Sequence, residues 1–194
     1  MKNLIFGLIA TVMFGFIGNA QTNKDEWKSM MNITRSSIDD ILDNTRPKEM
    51  DLENYKQKLI LGELQLSEDS RRQIEPLMEP LKKYGQEIAN LHKLTFTDDS
   101  ELIALAAFEP DSPINDGQYE FSTFGLTGSE IATCALVAIG ADALYSLAFS
   151  GATSWSAAAL TSTFSAVAKR FLGPIGVTFA VVSFGICILE QSQD

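Results

Sequence analysis

Residues 174–189, PIGVTFAVVSFGICIL, contain no charged side chain. They close a longer apolar stretch, residues 131–189, whose charged residues are Asp142, Lys169 and Arg170. A segment that apolar has to be hidden, either within a protein core or within a bilayer. Residues 21–120 are its opposite, with 12 bases against 21 acids, a net charge of −9. The two halves suit different surroundings. The expected fold is all-α: an acidic helical domain over 21–108, a Pro-rich linker over 109–127, and an apolar three-helix tail over 128–194 containing an antiparallel helical hairpin.

The first twenty residues read as a secretory signal peptide. Lys2 gives the positive start, residues 4–17 the apolar run, and Gly18-Asn19-Ala20 the small residues that place cleavage before Gln21. No cysteine stands directly after the cleavage point, which argues against a lipid anchor. Removing Lys2 leaves 14 bases and 25 acids, a net charge of −11. That acidity disfavours a nucleic-acid partner, whose phosphates would repel the chain. It equally disfavours broad attraction to anionic headgroups.

In the charged half, Trp27, Met30, Met31, Thr34, Ile38, Ile41 and Leu42 recur at three- and four-residue steps, the mark of a one-faced helix. The run Asn44 to Pro47 ends it. A second helix is expected over 49–66, weakened by Gly62 at a cost of about 1 kcal/mol relative to alanine. A third should begin near Pro76, a residue suited to a first helical position. Its stripe is Leu77, Leu81, Tyr84, Ile88 and Leu91, with Pro80 bending it or delaying its start. Residues 98–108 give a short fourth helix. The linker sequence EPDSPINDGQ, 109–118, joins two prolines to turn formers. Pro113 and a late glycine spoil its likeness to a calcium loop.

In the apolar half, Thr127-Gly128-Ser129-Glu130 has the T-x-x-E form of a capping box, so a helix should start near Gly128 and run to about Phe149. A second, capped by Ser154, ends at Lys169-Arg170. A third, over 175–189, is apolar on every side. Cys134 and Cys187 would lie about 25 Å apart in an up-down-up bundle at 1.5 Å per residue. A disulfide needs Cα atoms within about 7 Å. Either the cysteines do not pair with each other, or the outer helices run antiparallel with the middle one crossing between them. Export favours pairing.

The antiparallel arrangement also suits a membrane. Lys169 and Arg170 would sit on the cytoplasmic side. Gly176 and Ala180 would allow close helix contact, and the middle helix could lie along the interface. Asp142 opposes insertion by about 2.5–3.5 kcal/mol when charged, and its neutral form would ease entry in acid. Permanent hairpin, insertion on contact with a target bilayer, and buried soluble core all remain open.

The Gly/Ala/Ser-rich texture of the tail, from Gly128-Ser129-Glu130 through Cys134-Ala135-Leu136-Val137 to Gly173-Pro174-Ile175-Gly176-Val177, resembles bacteriocin-like secreted peptides and their exported precursors. The resemblance covers about the last third of the chain and implies permeabilisation of membranes. A folded acidic domain before the tail and the lack of a double-glycine leader site depart from that pattern.

Catalytic signatures do not occur: no HExxH, CxxC, GxSxG, Walker or dinucleotide glycine pattern is found. His92 is the one histidine, too few for a metal site built on imidazoles. Asn32-Ile33-Thr34 forms a short glycosylation sequon. The sequence therefore points to an exported, non-enzymatic protein without cofactor or metal. Its expected location is periplasmic, secreted or inner-membrane associated, and its expected partner a lipid bilayer or a hydrophobic protein. The rival reading is a soluble periplasmic helical interaction protein whose apolar tail is its buried core.

Overall fold

In the N-terminal half, the apolar periodicity becomes four helices, each closed by an identifiable local device. The structure, a computed structural model, describes residues 24–60, 62–91, 93–96, 98–107, 114–115, 118–119, 128–139 and 173–191. Helix α1, Lys24–Thr45, buries Trp27, Met30, Met31, Thr34, Ile38 and Leu42 along one stripe, as the spacing requires. At its end the Arg46 N–H donates to the Leu42 carbonyl at 2.8 Å, and two side chains bond back into the last turn. Asn44 Nδ2 donates to the Asp40 carbonyl at 2.6 Å and Thr45 Oγ1 to the Ile41 carbonyl at 2.8 Å.

Helix α2, Leu52–Ile60, is shorter than its expected 49–66. Asp51 caps its start by accepting the Asn54 N–H at 2.9 Å. Its end is set by Gly62, which takes φ 74°. There the Gly62 N–H donates to the Leu59 carbonyl at 3.1 Å and the Glu63 N–H to the Lys58 carbonyl at 2.9 Å. These two bonds form a Schellman end, so Gly62 terminates the helix where the sequence reading had it merely weaken one.

The third helix is also corrected. Helix α3, Glu68–Leu91, starts two turns before Pro76 and holds both Pro76 and Pro80 inside it. Ser67 Oγ accepts the Ser70 N–H at 3.1 Å and so supplies the N-cap. Each proline removes a bond to the carbonyl four residues back, at a cost of about 3 kcal/mol in a helix interior. Those carbonyls belong to Arg72 and Pro76, both exposed residues, where water can bond them. The opposite face, Ile74, Leu77, Leu81, Tyr84, Ile88 and Ala89, is buried and holds the helix. Leu91, expected in that stripe, is 52% exposed. A second Schellman end follows, with Lys93 at φ 55° and the Leu94 N–H donating to the Ala89 carbonyl at 2.8 Å.

Helix α4, Asp99–Leu105, is capped by Asp98, whose carboxylate accepts the Ser100 N–H at 2.8 Å. It lies directly on α3. A Cβ at Gly85 would fall 1.7 Å from the Leu102 carbonyl oxygen, so the two backbones touch where only glycine fits. Lys82 Nζ reaches Asp99 at 2.8 Å across the same contact. Beyond α4, strands β1, Ile114–Asn115, and β2, Gln118–Tyr119, pair antiparallel, Ile114 with Tyr119 and Asn115 with Gln118. Helix α5, Gly128–Ile139, and helix α6, Pro174–Gln191, complete the described elements.

The fold is all-α, and α6 is its hub, packing against α1, α3, α4 and α5. Two apolar clusters form around it. Ile175 and Phe179 join Ile38, Leu42, Tyr55, Leu59, Ile74 and Leu77 in the smaller one. The rest of α6 joins Trp27, Met31, Leu81, Tyr84 and the buried residues of α4 and α5. Charged and apolar stretches thus contribute to shared cores. The expected continuation of α5 to about Phe149 and the middle tail helix lie outside the described residues, and Asp142, Lys169 and Arg170 with them.

Two substitutions test these local arguments by chemical denaturation. Gly85→Ala should destabilise the fold by about 3 kcal/mol, because a backbone oxygen has to move to admit the methyl group. Lys93→Gly should stabilise it by about 0.5–1 kcal/mol, the relief of left-handed strain exceeding the added chain entropy.

Candidate functional site

Helix α6 is the feature with the most distinctive chemistry, and its local construction explains its apolar surface. Gly173, at φ 62°, turns the chain into the helix. Pro174 then occupies the first position, where its missing N–H costs nothing. The Gly173 carbonyl accepts the Gly176 N–H at 3.0 Å. Thr178 is fully buried, and its hydroxyl donates back to the Pro174 carbonyl at 3.1 Å. That bond keeps the helix's buried hydroxyl from demanding a partner on a neighbour. The 18-residue helix is long and apolar enough to cross a membrane, yet 72% of it is buried against other helices.

Covering such a helix requires neighbours that fit its small and large residues. Gly185 provides a notch on the α1 side, where a Cβ would lie 3.1 Å from Met31 Sδ and 3.3 Å from Trp27 Cζ2. The Trp27 ring is fully buried, and its Nε1 donates to the Ala106 carbonyl at 2.8 Å just beyond α4. One indole therefore joins α1, α4 and α6. Gly176 and Ala180, the sequence's candidates for close helix contact, are both buried in α6. Sequence reading placed Trp27 in the core but missed Gly185. A glycine in the middle of an otherwise bulky apolar helix was the available signal.

Cys134 of α5 and Cys187 of α6 are disulfide-bonded, with Cα atoms 5.4 Å apart. Sequence reasoning reached this pair from export and cysteine count. The bond closes a loop of 53 residues, which disfavours the open chain by about 4 kcal/mol in the loop-entropy picture. Helix α5 turns Ile131, Cys134, Ala135 and Ala138 inward. Its other side presents Leu136, 43% exposed, and Val137, 63% exposed, as an apolar outer surface.

Burial pushes the Tyr55 phenol above its ordinary value, opposed by its hydrogen bond with Thr45. The Asp99 hydrogen bond raises Lys82 above the usual ammonium range. Lys56 bridges α2 to Asp39 of α1 at 2.7 Å, and Arg35 approaches Glu190 of α6 at 3.8 Å. Such partly exposed pairs contribute little each. Among the described residues no group of three or more His, Cys, Asp or Glu side chains is arranged to hold a metal ion. The chain matches no family model, no curated protein and no solved structure.

Removing the indole N–H tests the junction that holds α6 in place. Trp27→Phe should cost about 3 kcal/mol in a denaturant melt, because the Ala106 carbonyl loses its donor and the ring carbon that faces Gly185 is removed with it.

Proposed function

We propose that this is an exported, membrane-active helical protein that carries a membrane-capable helix hidden beneath acidic helices and gives it up to a target bilayer. The observation carrying the proposal is α6 itself: an 18-residue apolar helix whose one charged residue, Glu190, lies near its end, held against α1, α3 and α4, which carry charged residues on their exposed faces. Moderate hydrophobicity would let such a segment pass the export machinery without lodging there. Burial keeps it out of water until lipid offers an equally apolar environment. The disulfide fits an oxidising compartment and hence the export reading. The resemblance of the tail to bacteriocin-like peptides gives the activity a class: permeabilisation of a bilayer, with Asp142 easing entry once protonated.

A second reading is favoured by the same burial. A core helix of a water-soluble protein is also apolar all round and also covered by its neighbours. On that reading the chain is a periplasmic interaction protein, and the exposed Leu136 and Val137 are ordinary surface residues.

Vesicles separate the two. The chain lacking residues 1–20, added to dye-loaded vesicles of zwitterionic phosphatidylcholine, is expected to float with the lipid and release dye, more strongly at pH 5 than at pH 7. Protein that stays in the aqueous fraction, with no leakage at either pH, overturns the membrane reading and leaves the soluble one.

A further inference from the structure

We propose that the segment from Ile38 to Leu77 is a unit that opens ahead of the rest of the fold. Helix α1 parts at Thr34–Ser37 and α3 at Pro76–Pro80, and the opening uncovers Ile175 and Phe179 at the start of α6. This goes beyond the membrane reading and does not depend on it.

The two apolar clusters divide the two long helices of the N-terminal half. In α1, Trp27, Met30 and Met31 belong to the larger cluster, Ile38 and Leu42 to the smaller. In α3, Ile74 and Leu77 belong to the smaller, Leu81, Tyr84 and Ile88 to the larger. Met78, between them, packs against both. At each crossing the helix is locally weak. Pro76 and Pro80 leave two carbonyls of α3 without a helical N–H. The α1 crossing holds Thr34, Ser36 and Ser37, residue types that favour a helix less than alanine or leucine does. A helix weakened at such a point can lose one part while the other stays packed.

Between the crossings the segment makes its own contacts. Tyr55, Leu59 and Leu66 complete the smaller cluster, and Lys56 Nζ meets Asp39 at 2.7 Å within the unit. The larger cluster instead contains the disulfide. Cys134 belongs to it and Cys187 packs against it, and these are the two cysteines of the sequence. A crosslink raises the free energy of states in which the elements it joins come apart. No such bond reaches the segment from Ile38 to Leu77, so that side opens first. Ile175 and Phe179, one turn apart, are the α6 residues in the smaller cluster, and they lose its cover when it opens.

Native-state hydrogen exchange on the full, oxidised chain in sub-denaturing guanidinium chloride reads this. Amides of 38–45, 56–60 and 72–75 should be protected about tenfold less, or weaker still, than those of 81–89 and 180–189. Ile103→Val trims the larger cluster, and Ile103 stays packed while the unit is open. It should therefore lower protection over 81–89 and 180–189 about fivefold and leave 56–60 within about twofold. Ile38→Val should lower both sets about fivefold, because complete unfolding includes the unit. Similar wild-type protection over 56–60 and 180–189 would mean that both clusters open together. An Ile103→Val loss over 56–60 matching that over 81–89 would mean the same. An Ile38→Val loss confined to 38–75 would mean that the remainder opens without the unit. Any of these results overturns the proposal, and the first needs no variant.

Discussion

Helix α6 presents apolar side chains in every direction, and no helix of that kind can be left with one side in water. Everything described around it answers this constraint. Four helices have to approach from different sides, and each has to bring residues of suitable size. Trp27 is the pivotal supplier, because its ring is held against Gly185 of α6 while its N–H is fixed on the Ala106 carbonyl. Losing that ring would open α6 where three elements meet. Helix α2 and the first turns of α3 then complete the smaller cluster around Ile175 and Phe179.

This arrangement changes what the charge asymmetry means. Twenty-one acids in residues 21–120 look like the surface of an independent domain. In the fold, α1, α3 and α4 turn their apolar faces toward α6, and most of the described carboxylates on these helices are exposed. Charge of one sign on exposed faces opposes association between copies of a chain. The positive groups that touch carboxylates across elements, Lys56, Lys82 and Arg35, set helix alignment more than they stabilise it.

Much of the fold was legible in the sequence because it rests on periodicity. The α1 stripe from Trp27 to Leu42, the start of the fourth helix at Asp98, and the all-round apolar α6 follow from spacing and capping chemistry alone. What escaped was decided by tertiary contact. Pro76 looked like a first-turn residue, yet the buried stripe from Ile74 to Ala89 carries the helix through both prolines. Gly62 looked like a weak helical residue, yet its left-handed backbone ends α2. The disulfide was legible from compartment and cysteine count. The approach of Leu102 to Gly85 had no local signal at all. For the functional residues the division is similar: Cys134, Cys187, Gly176 and Ala180 are placed in the fold, whereas Asp142, Lys169 and Arg170 lie outside the described residues.

The contact at Gly85 has an evolutionary corollary. Side chains that collide can be trimmed by a change in the neighbour, so most crowded positions drift in pairs. Here the obstacle is the carbonyl oxygen of Leu102, which every amino acid carries. No exchange at position 102 can make room, so descendants of this chain that keep the α3–α4 crossing inherit a hydrogen atom at that spot as the sole tolerated substituent.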